Sequence, residues 1–138
     1  MASIILKGRE IPLLYTTWEM KQIQEEMGPL SRAIKLITGR NPDDEKDTSK
    51  YGSAEHLSAA AKLIRILGNA GLEESGENPD LSDKKVLRAL KPSELAMAVN
   101  ACMDTMTEGM ASEIPPDEET GPVDVTLEEM NKKKEKEN

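Results

Sequence analysis

Residues 54–71, AEHLSAAAKLIRILGNAG, restrict the folds open to this chain more than any other stretch. Wound as a helix, Glu55, His56, Ser58, Lys62, Arg65 and Asn69 fall mostly on one line, at alternating three- and four-residue spacing. Leu57, Ala59, Ala60, Ala61, Leu63, Ile64, Ile66, Leu67 and Ala70 fill the rest of the cylinder. A surface helix carries an apolar stripe on a polar cylinder, and this stretch inverts that pattern. It must therefore be covered on several sides, by its own chain or by a partner.

The covering elements have to do without aromatic bulk. There is no Phe, one Trp and two Tyr in 138 residues, so the core rests on Leu, Ile, Ala and Met. Length predicts one domain with a tail. The net charge of −8 argues against nucleic acid as the main partner, because phosphate binding needs a basic footprint. Cys102 is the only cysteine, which excludes an internal disulfide framework and fits a reducing cytoplasm. The apolar run in MASIILKGRE is too short for a secretory signal, and no run approaches the roughly 20 residues of a membrane span. The expectation is a soluble cytoplasmic protein with no membrane partner.

In chain order, residues 3–15 read as a short hairpin, with Ile4, Ile5 and Leu6, a Lys7-Gly8 turn, and Arg9, Glu10 and Ile11. Pro12 confines the second strand to an edge. Thr16 and Glu19 have capping-box spacing, which starts a helix running to about Met27 with Met20, Ile23 and Met27 on one face. Gly28-Pro29 breaks it, and Pro29 suits the first turn of a second helix carrying Leu30, Ala33, Ile34 and Ile37 at core spacing. Gly39 is a C′ residue. Residues 40–52 are a polar loop, and Ser53 caps the central helix. Residues 73–81 form a second acidic loop. Ser82 then caps a helix over 83–90 with Val86, Leu87 and Leu90 inward.

Pro92 opens a helix over 92–108, and Gly109 ends it. Ser93, Asn100, Asp104 and Glu108 form its polar stripe. Leu95, Ala96, Met97, Ala98, Val99, Ala101, Cys102, Met103 and Met106 cover the remainder. Met97, Met103, Met106 and Met110 admit two readings: gap-filling in a core poor in aromatics, or an adaptable surface for the apolar helices of a partner. Helices 54–71 and 92–108 are expected to pack together as the centre. The sum is a mainly α domain over 1–110, with about five helices and an N-terminal β-hairpin. From 111 to 138 the chain is Pro-rich, acidic and unperiodic, with nine acids against four bases, and reads as a disordered tail. Thr126 and Glu129 offer a capping box for a marginal helix to about Glu135.

The chemical readings of the sequence are weak. Asp43, Asp44, Glu45 and Asp47 invite a calcium loop, but Thr48 stands where the turn glycine is required and Ala54 where the bidentate Glu is required. A solvated acidic loop fits better. His56 and Cys102 could pair as a nucleophile and base, yet no third group orients them. One His and one Cys do not make a zinc site. No catalytic set and no cofactor motif stands out, so an enzyme is the least supported class.

The order of parts resembles the tail assembly chaperones of tailed bacteriophages and prophages of Gram-positive hosts. A strand pair, SIILKGREIPLLY, runs into a helix, TTWEMKQIQEEMG, and a second, PLSRAIKLITG. The long apolar helix HLSAAAKLIRILGNAGL follows, then NPDLSDKKVLRALKPSELAMAVNACMDTMTEGM. The likeness spans roughly residues 3–110. It implies a protein that binds the tape measure protein, keeps that long helical chain soluble, and helps recruit tail tube subunits around it. It implies action in the host bacterial cytoplasm and absence from the mature virion, with self-association left open. The broad apolar faces name Leu63, Ile66, Leu67, Met97, Met103, Met106 and Met110 as candidate partner-binding residues. The run Asn131-Lys132-Lys133-Lys134 would suit a slippery codon series for a frameshifted longer form. Two other classes compete: a structural virion component, such as a small connector or completion protein forming a ring, and an acidic regulator that mimics nucleic acid or sequesters a host protein.

Overall fold

The computed structural model describes residues 2–44, 46–47 and 49–110. The tail and its expected helix near Thr126 lie outside the described residues.

The chain begins as a hairpin because its turn chemistry and its alternation agree. Strand β1 (Ser3–Leu6) pairs antiparallel with β2 (Arg9–Pro12) in the register Ile4 to Ile11 and Leu6 to Arg9. Lys7 and Gly8 both take positive φ, 50° and 78°, the two-residue turn whose twist matches that of the strands. Ile4, Leu6 and Ile11 face inward, while Ile5 points out. Pro12 closes the edge strand, and the chain continues inward through Leu13 and Tyr15.

Helix α1 (Thr17–Met27) starts at the capping box expected from the sequence. Thr16 Oγ1 accepts from the Trp18 N–H at 3.3 Å, and the Thr16 N–H donates to Glu19 Oε1 at 2.8 Å. Helix α2 (Leu30–Ile37) takes Pro29 as its N-cap rather than in its first turn; the Pro29 carbonyl accepts the first helical hydrogen bond, from Ala33. It ends at Gly39 in the left-handed conformation, with Arg40 N–H reaching back to the Lys35 carbonyl.

Helix α3 (Ala54–Glu74) is the hub. α1, α2, α4 (Asp83–Ala89), α5 (Pro92–Met110) and β2 all pack against it. This is the covering that its inverted polarity demands. The narrow polar stripe is spent on the neighbours. Arg65 bridges two elements: its Nε donates to Asp83 Oδ1 of α4 at 2.7 Å, and its Nη2 pairs with Glu26 of α1. Lys62 adds a contact to Asp83 at 3.4 Å. Asn69 holds the backbone of Leu81 from both sides, donating to its carbonyl at 3.1 Å and accepting from its N–H at 2.9 Å. His56, placed on the stripe by spacing, is instead buried.

The helix runs three residues beyond the expected end at Gly71. Gly76, not Gly71, stops it: Gly76 N–H bonds to the Glu73 carbonyl and Glu77 N–H to the Leu72 carbonyl, the pattern of a left-handed helix cap. Gly71 serves a different purpose. A Cβ there would lie 1.9 Å from the Pro12 carbonyl oxygen, so the glycine lets the hairpin's exit strand lie directly on the helix. Leu14 then donates its N–H to the Leu67 carbonyl at 3.1 Å.

Ser82 caps α4, accepting from the Lys85 N–H. Lys91 opens α5 ahead of Pro92, and Glu94 Oε1 accepts the Lys91 N–H at 2.8 Å. Gly109 does not end α5, which continues to Met110, the last described residue. Gly109 lies against Tyr15, where a Cβ would sit 2.8 Å from the Tyr15 carbonyl oxygen. α5 packs on one side only: Leu95, Ala98, Val99, Cys102, Thr105 and Met106 are buried, whereas Ala96, Met97, Asn100 and Asp104 face out. The centre of the molecule is thus α3 alone, with α5 as one of its cover helices. No described helix is long and apolar enough to cross a membrane.

Candidate functional site

The polar loop before α3 shapes the surface on which a site can form. Two of its acidic residues bond their own backbone, while Asp43 pairs with Arg32 of α2 at 3.6 Å. Asp44 and Asp47 accept from the N–H groups of Lys46 and Ser49, and Asn41 Nδ2 donates to Asp47 Oδ2 at 3.0 Å. The Asn41 bond, ahead of the Ser49 contacts, holds the Asp47 carboxyl down at about 2. These carboxylates shape the loop by bonding their own backbone. Among the described residues, no group of three or more His, Cys, Asp or Glu could hold a metal ion.

The loop delivers Tyr51 onto the face of Gly39, where any side chain would collide with the ring. Tyr51 stands 63% exposed, with its ring centroid 4.7 Å from that of His56. A backbone hydrogen bond fixes the His56 ring. Its Nδ1 accepts from the Gly52 N–H at 2.9 Å. Burial lowers its pKa from the ordinary 6.5, against the opposing effect of the Ile37 backbone, so the ring is neutral near pH 7. Cys102 is fully buried, and loss of solvent pushes its thiol up to about 12. That thiol is not a nucleophile near neutral pH.

Beside the Tyr51–His56 pair lies a cleft of about 380 Å³. Leu57 of α3, Leu87 of α4, Leu90 just past the end of α4, and Pro92 and Leu95 of α5 wall it, with Lys91 on the rim. On the other side of His56 a smaller cavity of about 110 Å³ reaches Ile37, Val99 and Asn100. The cleft exists because α4 has only two turns. Val86 fills its inner face, and Leu87 and Leu90 remain half-buried where the chain turns into Pro92. An apolar hollow with few polar groups suits an apolar side chain presented by another chain.

The candidate partner-binding residues divide. Leu63, Ile66, Leu67 and Met106 are between 0% and 4% exposed and serve the protein's own core, so they offer no surface to a partner. Among the methionines this is the gap-filling reading, and it holds for Met106. Met103 is half-buried. Met97, 74% exposed, and Met110, 61% exposed, stand free on the outside of α5. Met110 follows Gly109 at the Tyr15 contact. Periodicity could not separate these classes, because a helix that is apolar all round gives no direction for its core. The cleft itself was missed. Its only sequence signal is a two-turn helix with three inward leucines or valines, more than so short a cylinder can bury.

No protein family, no curated protein and no solved structure matches the chain.

Proposed function

We propose that this protein is a tail assembly chaperone of the bacteriophage and prophage type, binding the apolar helices of a tape measure protein. The observation that carries the reading is the cleft beside Tyr51 and His56, open to solvent and walled by side chains of α3, α4 and α5. A client helix needs a hollow for one or two anchor side chains, and exposed Met97 and Met110 supply further adaptable contact. The acidic exterior supports solubility while such a client is held. The sequence resemblance rests on the order of elements: hairpin, two helices, long apolar helix, short helix and last helix. On this reading the protein acts in the host bacterial cytoplasm, recruits tail tube subunits to the client, performs no chemistry, and leaves before the particle is complete.

The test is co-expression with the long helical protein encoded just downstream in the same genome. The expected result is that the long protein becomes soluble and co-purifies, and that purified particles lack this chain. An insoluble client beside a folded copy of this protein, or its presence in purified particles, would overturn the reading. Presence in the particles would favour the structural-component alternative.

A further inference from the structure

α4 has a second side. Away from the cleft, a groove of about 530 Å³ runs between α4 and the hairpin turn. Its floor is apolar, made by Leu6, Ile11, Leu81 and Ala89. Its rim carries five cations: Lys7 and Arg9 from the hairpin, and Lys84, Lys85 and Arg88 from α4. Arg9 is matched by Asp80 at 3.1 Å and by Glu77 at 3.9 Å, and Lys85 Nζ donates to the Asp80 carbonyl. Lys7, Lys84 and Arg88 have no ionic partner among the described residues. A cluster of unmatched cations around an apolar floor, in a chain of net charge −8, calls for a ligand that is acidic and apolar at once.

The chain contains such a ligand. Residues 117–130, DEETGPVDVTLEEM, hold six acids and no base, with Val123, Val125, Leu127 and Met130 between them. They lie outside the described residues and begin seven positions after Met110, the end of α5. The thirteen residues to Val123 can span up to about 43 Å. That exceeds the width of a domain of this size, whose radius of gyration is about 13 Å. Reach therefore sets no limit.

We propose that residues 117–130 of the same chain occupy this groove, their carboxylates meeting Lys7, Lys84 and Arg88 and their apolar side chains covering the floor. The proposal is independent of the function proposed above.

Paramagnetic labelling of the full chain tests it. Thr126→Cys carries a nitroxide, and buried Cys102 stays unlabelled. At low salt the amide signals of Lys7, Lys84 and Arg88 should lose roughly half their intensity or more. They should recover when salt cuts the screening length from about 10 Å at 0.1 M to about 3 Å at 1 M. Lys84→Glu with Arg88→Glu should abolish the loss. The salt series on the unsubstituted chain keeps the test valid should that variant fail to fold. Loss elsewhere or nowhere overturns the proposal, as does loss indifferent to salt and charge reversal. Mixing labelled chain with isotope-enriched unlabelled chain gives the last arm. Loss in the mixture assigns the groove to a second copy's segment and overturns occupancy within one chain.

Discussion

Tyr15 takes a phenolic hydroxyl into the interior. Its side chain is buried, its backbone lies against Gly109, and among the described residues its Oη has no hydrogen-bond partner. Burial, and after it the nearby Glu19, raises its pKa above 10, so the hydroxyl stays protonated. An unpaired buried hydroxyl costs about 1–3 kcal/mol, and removing it leaves the ring contacts intact. Tyr15→Phe should therefore be stabilising by up to about 1 kcal/mol in urea unfolding; a loss of that size would mean the hydroxyl has a partner. His56 offers a second test at this scale. Its folded pKa lies below the unfolded 6.5, so the unfolded chain binds the extra proton as pH falls. Stability should be full above 6.5 and decline as pH drops below it toward the folded value. The carboxylates held low by their partners, Asp47, Glu55 and Asp80, add their own decline only below about pH 5. His56→Asn keeps an acceptor for the Gly52 N–H without a titrating ring. Thermal unfolding between pH 7 and about 5.5 should lose its slope in that variant; an unchanged slope would place the titrating group elsewhere.

At the scale of elements, the glycines of α3 set two effects against each other. Ala is the better helix former by about 1 kcal/mol, so Gly71→Ala should stabilise an isolated helix. Here the new methyl would meet the Pro12 carbonyl at 1.9 Å, backbone against backbone, and neither side can rotate away. Overpacking of this kind typically costs 1–3 kcal/mol and occasionally more. The steric cost wins, and a net loss of about 2 kcal/mol or more is expected from chemical denaturation. A gain in stability would show that the strand does not lie on the helix. The same glycine marks how far the sequence could be read. The hairpin turn, the capping box, Gly39, Ser53, Ser82 and Pro92 were legible because each is a local device whose spacing carries its meaning. The length of α3 was not, because Gly71 looks like a terminator until Pro12 is seen above it. His56 was misplaced for a related reason: helical spacing set it with the polar residues, whereas the Gly52 N–H satisfies its Nδ1 inside. The two roles of the methionines were equally opaque, since only the one-sided covering of α5 separates buried Met106 from exposed Met97.

Across the whole molecule, polarity is distributed by what α3 needs. Its apolar surface takes up the hairpin and four helices, and its polar stripe ties α1 and α4 to each other through Arg65. What remains for partners is peripheral: the cleft beside Tyr51 on one side of α4, the cationic groove on the other, and the outer methionines of α5. A charge placed in the centre should therefore abolish folding. Met106→Asp belongs with Ile64→Asp in this respect, since an unpaired buried charge costs several kcal/mol. A charge in the cleft should spare the fold. The most direct measurement is a comparison of Leu90→Asp with the unsubstituted chain, scoring urea unfolding and retention of the co-expressed client together. Leu90 is half-buried at the open end of α4, so unfolding should shift by about 1–2 kcal/mol, while the client should return to the insoluble fraction. A client held as well as before, by a variant that carries aspartate in the cleft, would contradict the account.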